Sequence, residues 1–152
     1  MNVLDYLDQM GVHYRLSRHE TAYTAQDLAA AEHIPGRKVI KPVLVKADGH
    51  FVLCALPASH RVDLDTLRDQ LQVTDVELAG EDDFGKIFLD CELGAEPPIG
   101  CLFGLPTVMD ESLIADERVT FQAGTHQDAV TMSLADYRKV AQPEVAYFGK
   151  HL

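Results

Sequence analysis

The chain is short of positive charge. Thirteen lysines and arginines face 24 aspartates and glutamates over 152 residues, a formal charge of −11. A protein that grips long nucleic acid through its phosphates needs a basic face, and this composition argues against one. Cysteine is also scarce. Cys54, Cys91 and Cys101 are odd in number and form no CxxC pair. They read as reduced thiols among apolar or small neighbours, not as a disulfide framework or a zinc knuckle. No two of the seven histidines stand at HxxxH spacing, so a zinc site has no support. No serine occupies a GxSxG elbow, and neither GxGxxG nor GxxxxGK[ST] occurs. No apolar stretch approaches the ~20 residues of a membrane span. The first residues carry neither a basic region nor an apolar signal core. The expected location is the cytoplasm, with neither membrane nor DNA among the partners and no cofactor or metal.

What is present suits one globular domain. Apolar residues make up 47% of the chain and charged ones 24%. Val3, Leu4, Leu7 and Met10 keep helical spacing before Gly11. Val12 to Leu16 alternates as a strand. Thr24-Ala25-Gln26-Asp27 opens a second helix, which runs to His33. Val39 to Lys46 and Phe51 to Leu56 flank Asp48-Gly49 as the clearest hairpin. Asp63 precedes a helix with Leu64, Leu67 and Leu71 on one face. Val73 to Leu78 is a short strand, and Glu81 to Phe84 a helical turn. Pro106 to Met109 is a buried strand, followed by a turn over Asp110 to Ala115. A late hairpin turns at Gly124, and Ser133 starts a last helix. Residues Gln142 to Leu152 read as a tail. The whole predicts an α+β domain over 1–152, with a mixed, curved, barrel-like sheet and helices packed outside it.

Lys41 interrupts the apolar, β-branched run from Val39 to Val45. A lysine is rarely buried without a partner, so it points into solvent or into a pocket. Spacing leaves the two alternatives even. Pro42 follows, and proline lacks the N–H that a central ladder needs, which favours a strand beginning or an edge. Arg37, Lys38 and Lys46 lie within ten positions of one another around Lys41, so the scarce positive charge gathers there.

Two glycines bracket two prolines in Gly94-Ala95-Glu96-Pro97-Pro98-Ile99-Gly100. The stretch is a connector by composition. It is equally a rigid loop that admits a ligand to backbone amides, which stabilise an oxyanion when held in place. His19-Glu20 and His60-Arg61 follow strands in loops and are the histidines to keep, as surface or site residues. Cys54 lies in an apolar strand, as an inert thiol does. Cys101, beside the glycine loop, is the better nucleophile of the two.

The order of these pieces resembles the YbaK/prolyl-tRNA synthetase-associated domain family. The resemblance rests on His19-Glu20, Thr24-Ala25-Gln26, Lys41 with Val43 to Gly49, Leu56-Pro57-Ala58, and Arg61 to Leu64. Gly94 to Pro98 and Leu105 to Asp110 complete it. It implies an aminoacyl-tRNA deacylase that works without metal. The family's lysine falls on Lys41, and its GxxxP loop on Gly94 and Pro98. Lys41 would hold the phosphate or ribose of the tRNA end. The loop through Ala95, Glu96 and Pro97, with Gly100, His60 and His19, would hold the aminoacyl group. Arg37, Lys38 and Lys46 would touch phosphate. Water would attack, assisted by the terminal ribose hydroxyl. The expected substrate is alanyl- or another small aminoacyl-tRNA(Pro). A non-catalytic module binding a nucleotide, an amino acid or a partner protein is the alternative, favoured if Glu96 blocks the pocket. An acidic protein would meet only the acceptor end of the tRNA, or take it from a synthetase or an elongation factor.

Overall fold

Helix α1 (Val3–Met10) begins where the Asn2 side chain accepts the Asp5 N–H at 2.9 Å. The computed structural model describes residues 2–152. Gly11 ends α1 in the left-handed conformation (φ 70°), as its position in the sequence predicts. The first strand, β1 (Arg15–Arg18), starts later than the alternation suggests. Its place is set by pairing with a distant strand, Arg15 opposite Thr131. Thr24 caps α2 (Ala25–Ala31) by accepting the Asp27 N–H. That helix stops short of His33, which turns to φ 57°.

A 3₁₀ turn over Gly36–Lys38 leads into the hairpin of β2 (Ile40–Ala47) and β3 (His50–Pro57). Asp48 and Gly49 both take positive φ, as a tight hairpin turn requires. Next come β4 (His60–Val62), α3 (Leu64–Leu71), β5 (Val76–Leu78) and α4 (Glu81–Ile87). Asp63 precedes α3 but makes no side-chain bond to its backbone. Its carboxylate instead takes the Thr66 hydroxyl and the Lys150 ammonium, the latter at 2.8 Å. These partners hold its pKa down at about 2. Then follow β6 (Thr107–Asp110), a 3₁₀ turn over Glu111–Ala115, β7 (Arg118–Gln122) and β8 (Asp128–Ser133). Ser133 caps α5 (Leu134–Ala141), and the chain closes with β9 (Glu144–Ala146) and β10 (Gly149–His151).

The strands form three sheets. The largest is mixed, in the order β5-β2-β3-β6-β9, with β6 parallel to both β3 and β9. A three-stranded antiparallel sheet runs β1-β8-β7, and β10 pairs with β4. A single bridge from Val39 to Thr120 links the first two. The expected barrel-like closure does not occur. The outer strands β5 and β9 are three residues each, too short to carry the ladder round and close it. Central β3 is buried on both faces. Cys54 and Leu56 meet Leu67 of α3 and Phe148, while Ala55 faces a core built with Leu7, Phe121 and Tyr137. Double burial explains why β3 reads as an unbroken apolar run. No helix among the described residues is long and apolar enough to cross a membrane.

The segment Gln142 to Leu152 is not a tail. Phe148 is fully buried, and strands β9 and β10 dock on β6 and β4. Three-residue strands carry too little alternation to be read from sequence. The anchor is a distant carboxylate. Asp110 Oδ1 accepts the N–H groups of Phe148 at 2.9 Å and Gly149 at 2.7 Å. Oδ2 accepts the N–H and hydroxyl of Ser112. A Cβ on Gly149 would lie 2.9 Å from the Asp110 carboxyl carbon, so any larger residue would have to displace that carboxylate.

Asp110→Ala leaves two buried N–H groups without an acceptor and is expected to destabilise the fold by about 3 kcal/mol. Urea unfolding checks the magnitude. Faster amide exchange at Phe148 and Gly149 locates it, and unchanged exchange there would refute the anchor.

Candidate active site

Lys41 pairs with Leu56 of β3, while β5 reaches only Val45 to Ala47. At Lys41 and Pro42, β2 is therefore an edge, and the missing proline N–H is not needed. The Lys41 side chain is half-buried and lines a cavity of about 220 Å³. The far wall is made by Gly94 and Glu96 of the glycine-proline loop. Ala25 of α2, Phe84 of α4 and Gln122 of β7 complete it with Ile40 and Pro42. No ion pair is made by Lys41 among the described residues. Burial without such a partner draws its pKa below the usual lysine value.

The loop opposite is buried from Ala95 to Gly100. Ala95 donates to the Glu92 carbonyl and accepts from the Gly124 N–H. Tyr137, fully buried, donates its hydroxyl to the Pro98 carbonyl at 2.6 Å. The same burial pushes the Tyr137 pKa up. The Gly100 N–H bonds to Thr107 Oγ1 at 2.8 Å. Glu96, 3% exposed, folds its carboxylate back to accept the Gly94 N–H at 2.9 Å. Its own N–H has no acceptor among the described residues. Gly94 sits at φ 91°, where glycine is favoured, and a Cβ there would press on the Tyr23 carbonyl at 3.3 Å.

The other expected site residues fall elsewhere. Lys38 is half-buried on the turn before β2, and exposed Arg37 stands 3.8 Å from Asp116. Lys46 lies at the far end of β2, about 16 Å along the strand from Lys41. It sits over the Phe51 ring and beside Asp48, Asp75 and Glu77. The basic cluster of the sequence therefore splits in space. His60 lines a separate cavity with Asp110 and His151. Burial lowers its pKa, opposed by Asp110 and assisted by His151 and Lys41. His19 turns Nδ1 to the Glu20 carbonyl and is not in the Lys41 wall. Ala95, Pro97, Pro98 and Gly100 support the loop from behind, and Pro97 lines a cavity on its other side. Burial pushes the Cys54 thiol up to about 12 and, with Glu96 and Asp90 nearby, the Cys91 thiol to about 11. Cys101 is exposed, with its sulfur 3.4 Å from the Tyr6 hydroxyl. Among the described residues, no three His, Cys, Asp or Glu side chains are grouped to hold a metal.

With Lys41 and the Gly94 loop on one cavity, the comparison with known proteins is specific. The family model for the aminoacyl-tRNA editing domain matches residues 19–140. The chain belongs to the aminoacyl-tRNA editing domain family. The multifunctional Ser/Thr-tRNA deacylase ProXp-y of Escherichia coli is 26% identical over 147 residues, covering 93% of this chain and 87% of that protein. A crystal structure described as a candidate trans-editing enzyme for prolyl tRNA synthetase superposes with a TM-score of 0.86 at 19% identity. It covers 97% of this chain and 94% of its own. A hypothetical protein of solved structure gives a TM-score of 0.87 at 18% identity, covering 97% and 99%. Both structural likenesses are of fold.

The wall residues of this editing domain that sequence does not mark as site candidates are Ala25, Ile40, Pro42, Phe84 and Gln122. Gln122, a long polar side chain after Val119-Thr120-Phe121, reads in sequence as an ordinary strand end, and only the structure shows it buried. Gly100 has a different reason for being glycine from the one expected. A Cβ there would lie 2.6 Å from the Leu105 carbonyl and from Thr107 Oγ1. The room is taken by the chain's own backbone, not by a ligand. Gly100→Ala is expected to cost about 1–3 kcal/mol through overpacking, read as a lower urea midpoint. An unchanged midpoint would show that the loop has slack.

Proposed function

We propose that this protein hydrolyses the ester linking a small amino acid to the 3′ end of a tRNA. The observation that carries the reading is the shared cavity: Lys41 and Glu96 line one small space, and the Glu96 N–H has no acceptor among the described residues. An aminoacylated tRNA end offers matching groups. Its phosphate and ribose suit Lys41, and its α-ammonium suits the Glu96 carboxylate. Its ester carbonyl suits a free backbone N–H held in a rigid loop. Membership of the editing-domain family supports the same chemistry.

No serine, cysteine, threonine or histidine lines the cavity, so an acyl-enzyme on a hydroxyl, thiol or imidazole of this wall has no support. In the proposed reaction the water oxygen bonds to the ester carbon, and the bond to the ribose oxygen breaks. The adjacent ribose hydroxyl helps to deliver the water, and the leaving ribose oxygen takes up a proton. The products are a free amino acid and uncharged tRNA. The protein supplies position and electrostatics.

The size of the cavity supports a small side chain. Alanine is the expectation from sequence, and the name of the Escherichia coli relative adds serine and threonine. tRNA(Pro) remains the proposed carrier, met at its acceptor end beside Lys41. The binding-only alternative would be favoured by a blocked pocket. The Glu96 side chain folds back on Gly94 and leaves the space open.

A panel of tRNAs charged with alanine, serine, threonine and proline tests the proposal, with Lys41→Ala as control. The substitution is expected to lower kcat/KM by about 100-fold or more, the scale of losing one electrostatic contact to the reacting group. The melting temperature should hold, because Lys41 makes no ion pair among the described residues. Activity that survives Lys41→Ala would reduce Lys41 to a strand residue.

A further inference from the structure

The end of a tRNA brings more than an ester. The ribose that carries the aminoacyl group also carries the terminal adenine, through one glycosidic bond. The Lys41 cavity, at about 220 Å³, is smaller than the roughly 300–1,000 Å³ of pockets that enclose a whole drug-sized ligand. An aminoacyl ribose inside it leaves the purine at the rim. The rim then has to offer a surface to a flat ring.

Tyr23 is the most exposed aromatic side chain among the described residues, at 66%. Exposure alone is ordinary for a single residue. The place of this one is not. Tyr23 precedes Ala25 of the cavity wall by two positions, and its carbonyl lies 3.3 Å from where a Gly94 Cβ would be. His126 Cε1 lies 3.4 Å from the same point. The Tyr23 and His126 rings stand with centroids 4.9 Å apart and a 54° tilt. Both residues thus pack on a glycine of the cavity wall, while the tyrosine ring stays in water. The fold holds the histidine behind it. The His126 N–H donates to the Glu92 carboxylate at 2.7 Å, and Nδ1 stands 3.1 Å from the Ala22 carbonyl. A carbonyl only accepts, so Nδ1 carries the proton and the ring plane is set. Other rings are committed elsewhere. Phe84 is half-buried and packs on Phe88, 5.5 Å between centroids. Tyr147, 51% exposed, borders the separate cavity of His60.

We infer that Tyr23, backed by His126, is the platform on which the terminal base of the tRNA stacks while its ribose enters the Lys41 cavity. The inference rests on the deacylase reading above and adds how an acidic protein holds an RNA end. Stacking on an exposed ring needs no basic face, and the Glu92 carboxylate beside the pair suits an uncharged base better than a phosphate.

Wild type, Tyr23→Phe, Tyr23→Leu and Tyr23→Ala are assayed on one hydrolysable aminoacyl-tRNA, with a thermal melt confirming that each folds. Tyr23→Ala and Tyr23→Leu should lower kcat/KM about tenfold, through KM, the scale of one stacked base. Tyr23→Phe should stay within about twofold of wild type, because it keeps the ring. The Tyr23→Ala loss should be equal at about 50 and 200 mM salt, because stacking releases no counterions. Full activity in Tyr23→Ala, a Tyr23→Leu that matches Tyr23→Phe, or a loss confined to low salt overturns the inference and leaves deacylation standing. If wild type hydrolyses no aminoacyl-tRNA, the deacylase reading fails and binding decides the inference. The probe is an uncharged RNA minihelix ending in CCA, set against the same RNA lacking only its terminal base. Loss of the base should weaken binding to wild type about tenfold and leave binding to Tyr23→Ala unchanged. Equal binding of the two RNAs to wild type overturns the inference and leaves the exposed pair to a protein partner.

Discussion

The site depends on burying a loop that belongs to no helix or sheet. From Ala95 to Gly100 the backbone is out of water, and every polar group taken there needs a partner or a reason to lack one. The sequence meets this in two ways. Pro97 and Pro98 remove two N–H groups that would otherwise need acceptors. The rest are tied outward. Ala95 meets Gly124 at the β7–β8 turn, Pro98 meets Tyr137 of α5, and Gly100 meets Thr107 of β6. Three separate elements thus fix one loop. The position of Glu96, and so of the cavity wall, follows from those ties.

The lysine across the cavity is permitted by an edge. β5 covers only the last residues of β2, so the strand is unpaired on one side at Lys41 and Pro42. A lysine in a fully paired, doubly covered strand would have nowhere to put its ammonium. Here the side chain enters a gap bounded by α2, α4 and the loop. The same geometry explains why Lys46, on the same strand, takes no part. It lies past the reach of the cavity, where β2 is paired on both sides and acidic side chains of the hairpin turn and β5 stand beside it.

Local order was legible in the sequence, and distant pairing was not. Thr24 and Ser133 cap their helices as their spacing indicates, and Asp48-Gly49 turns the hairpin as expected. These features depend on neighbours within a few positions. Strands β9 and β10 depend on Asp110, more than thirty residues away, and were read as a tail. The site divides in the same way. Lys41 and the Gly94 loop stood out by composition and by family resemblance. Their meeting across one cavity is a matter of tertiary structure. Gln122 was passed over because one polar residue at a strand end looks like an ordinary solvent-facing terminus. Only its burial, and the two carbonyls that hold its nitrogen, give it meaning. Arg37, Lys38 and Lys46 show the opposite failure, since closeness in sequence did not keep the charges together.

The pattern of satisfied and unsatisfied groups separates scaffold from site. Around the loop, buried polar groups are matched within the chain: the Tyr137 hydroxyl, the Gly100 amide and the Pro98 carbonyl all have partners. The Asp110 carboxylate serves the C-terminal strands in the same manner. On the cavity wall the rule lapses. The Lys41 ammonium has no ion pair, the Glu96 amide no acceptor and Gln122 Oε1 no donor among the described residues. An unpaired buried amide or carbonyl oxygen costs stability, and Lys41, Glu96 and Gln122 all line one space of about 220 Å³. His19 Nε2 is unpaired as well, outside that wall, so unpaired groups point to a site only where several share one cavity. The three groups also differ in kind. A cation, an amide donor and a neutral acceptor cannot be satisfied by one water or one simple ion. Lys41 and the Glu96 amide suit a ligand that brings an anion or hydroxyl and a carbonyl oxygen, as the aminoacyl end of a tRNA does.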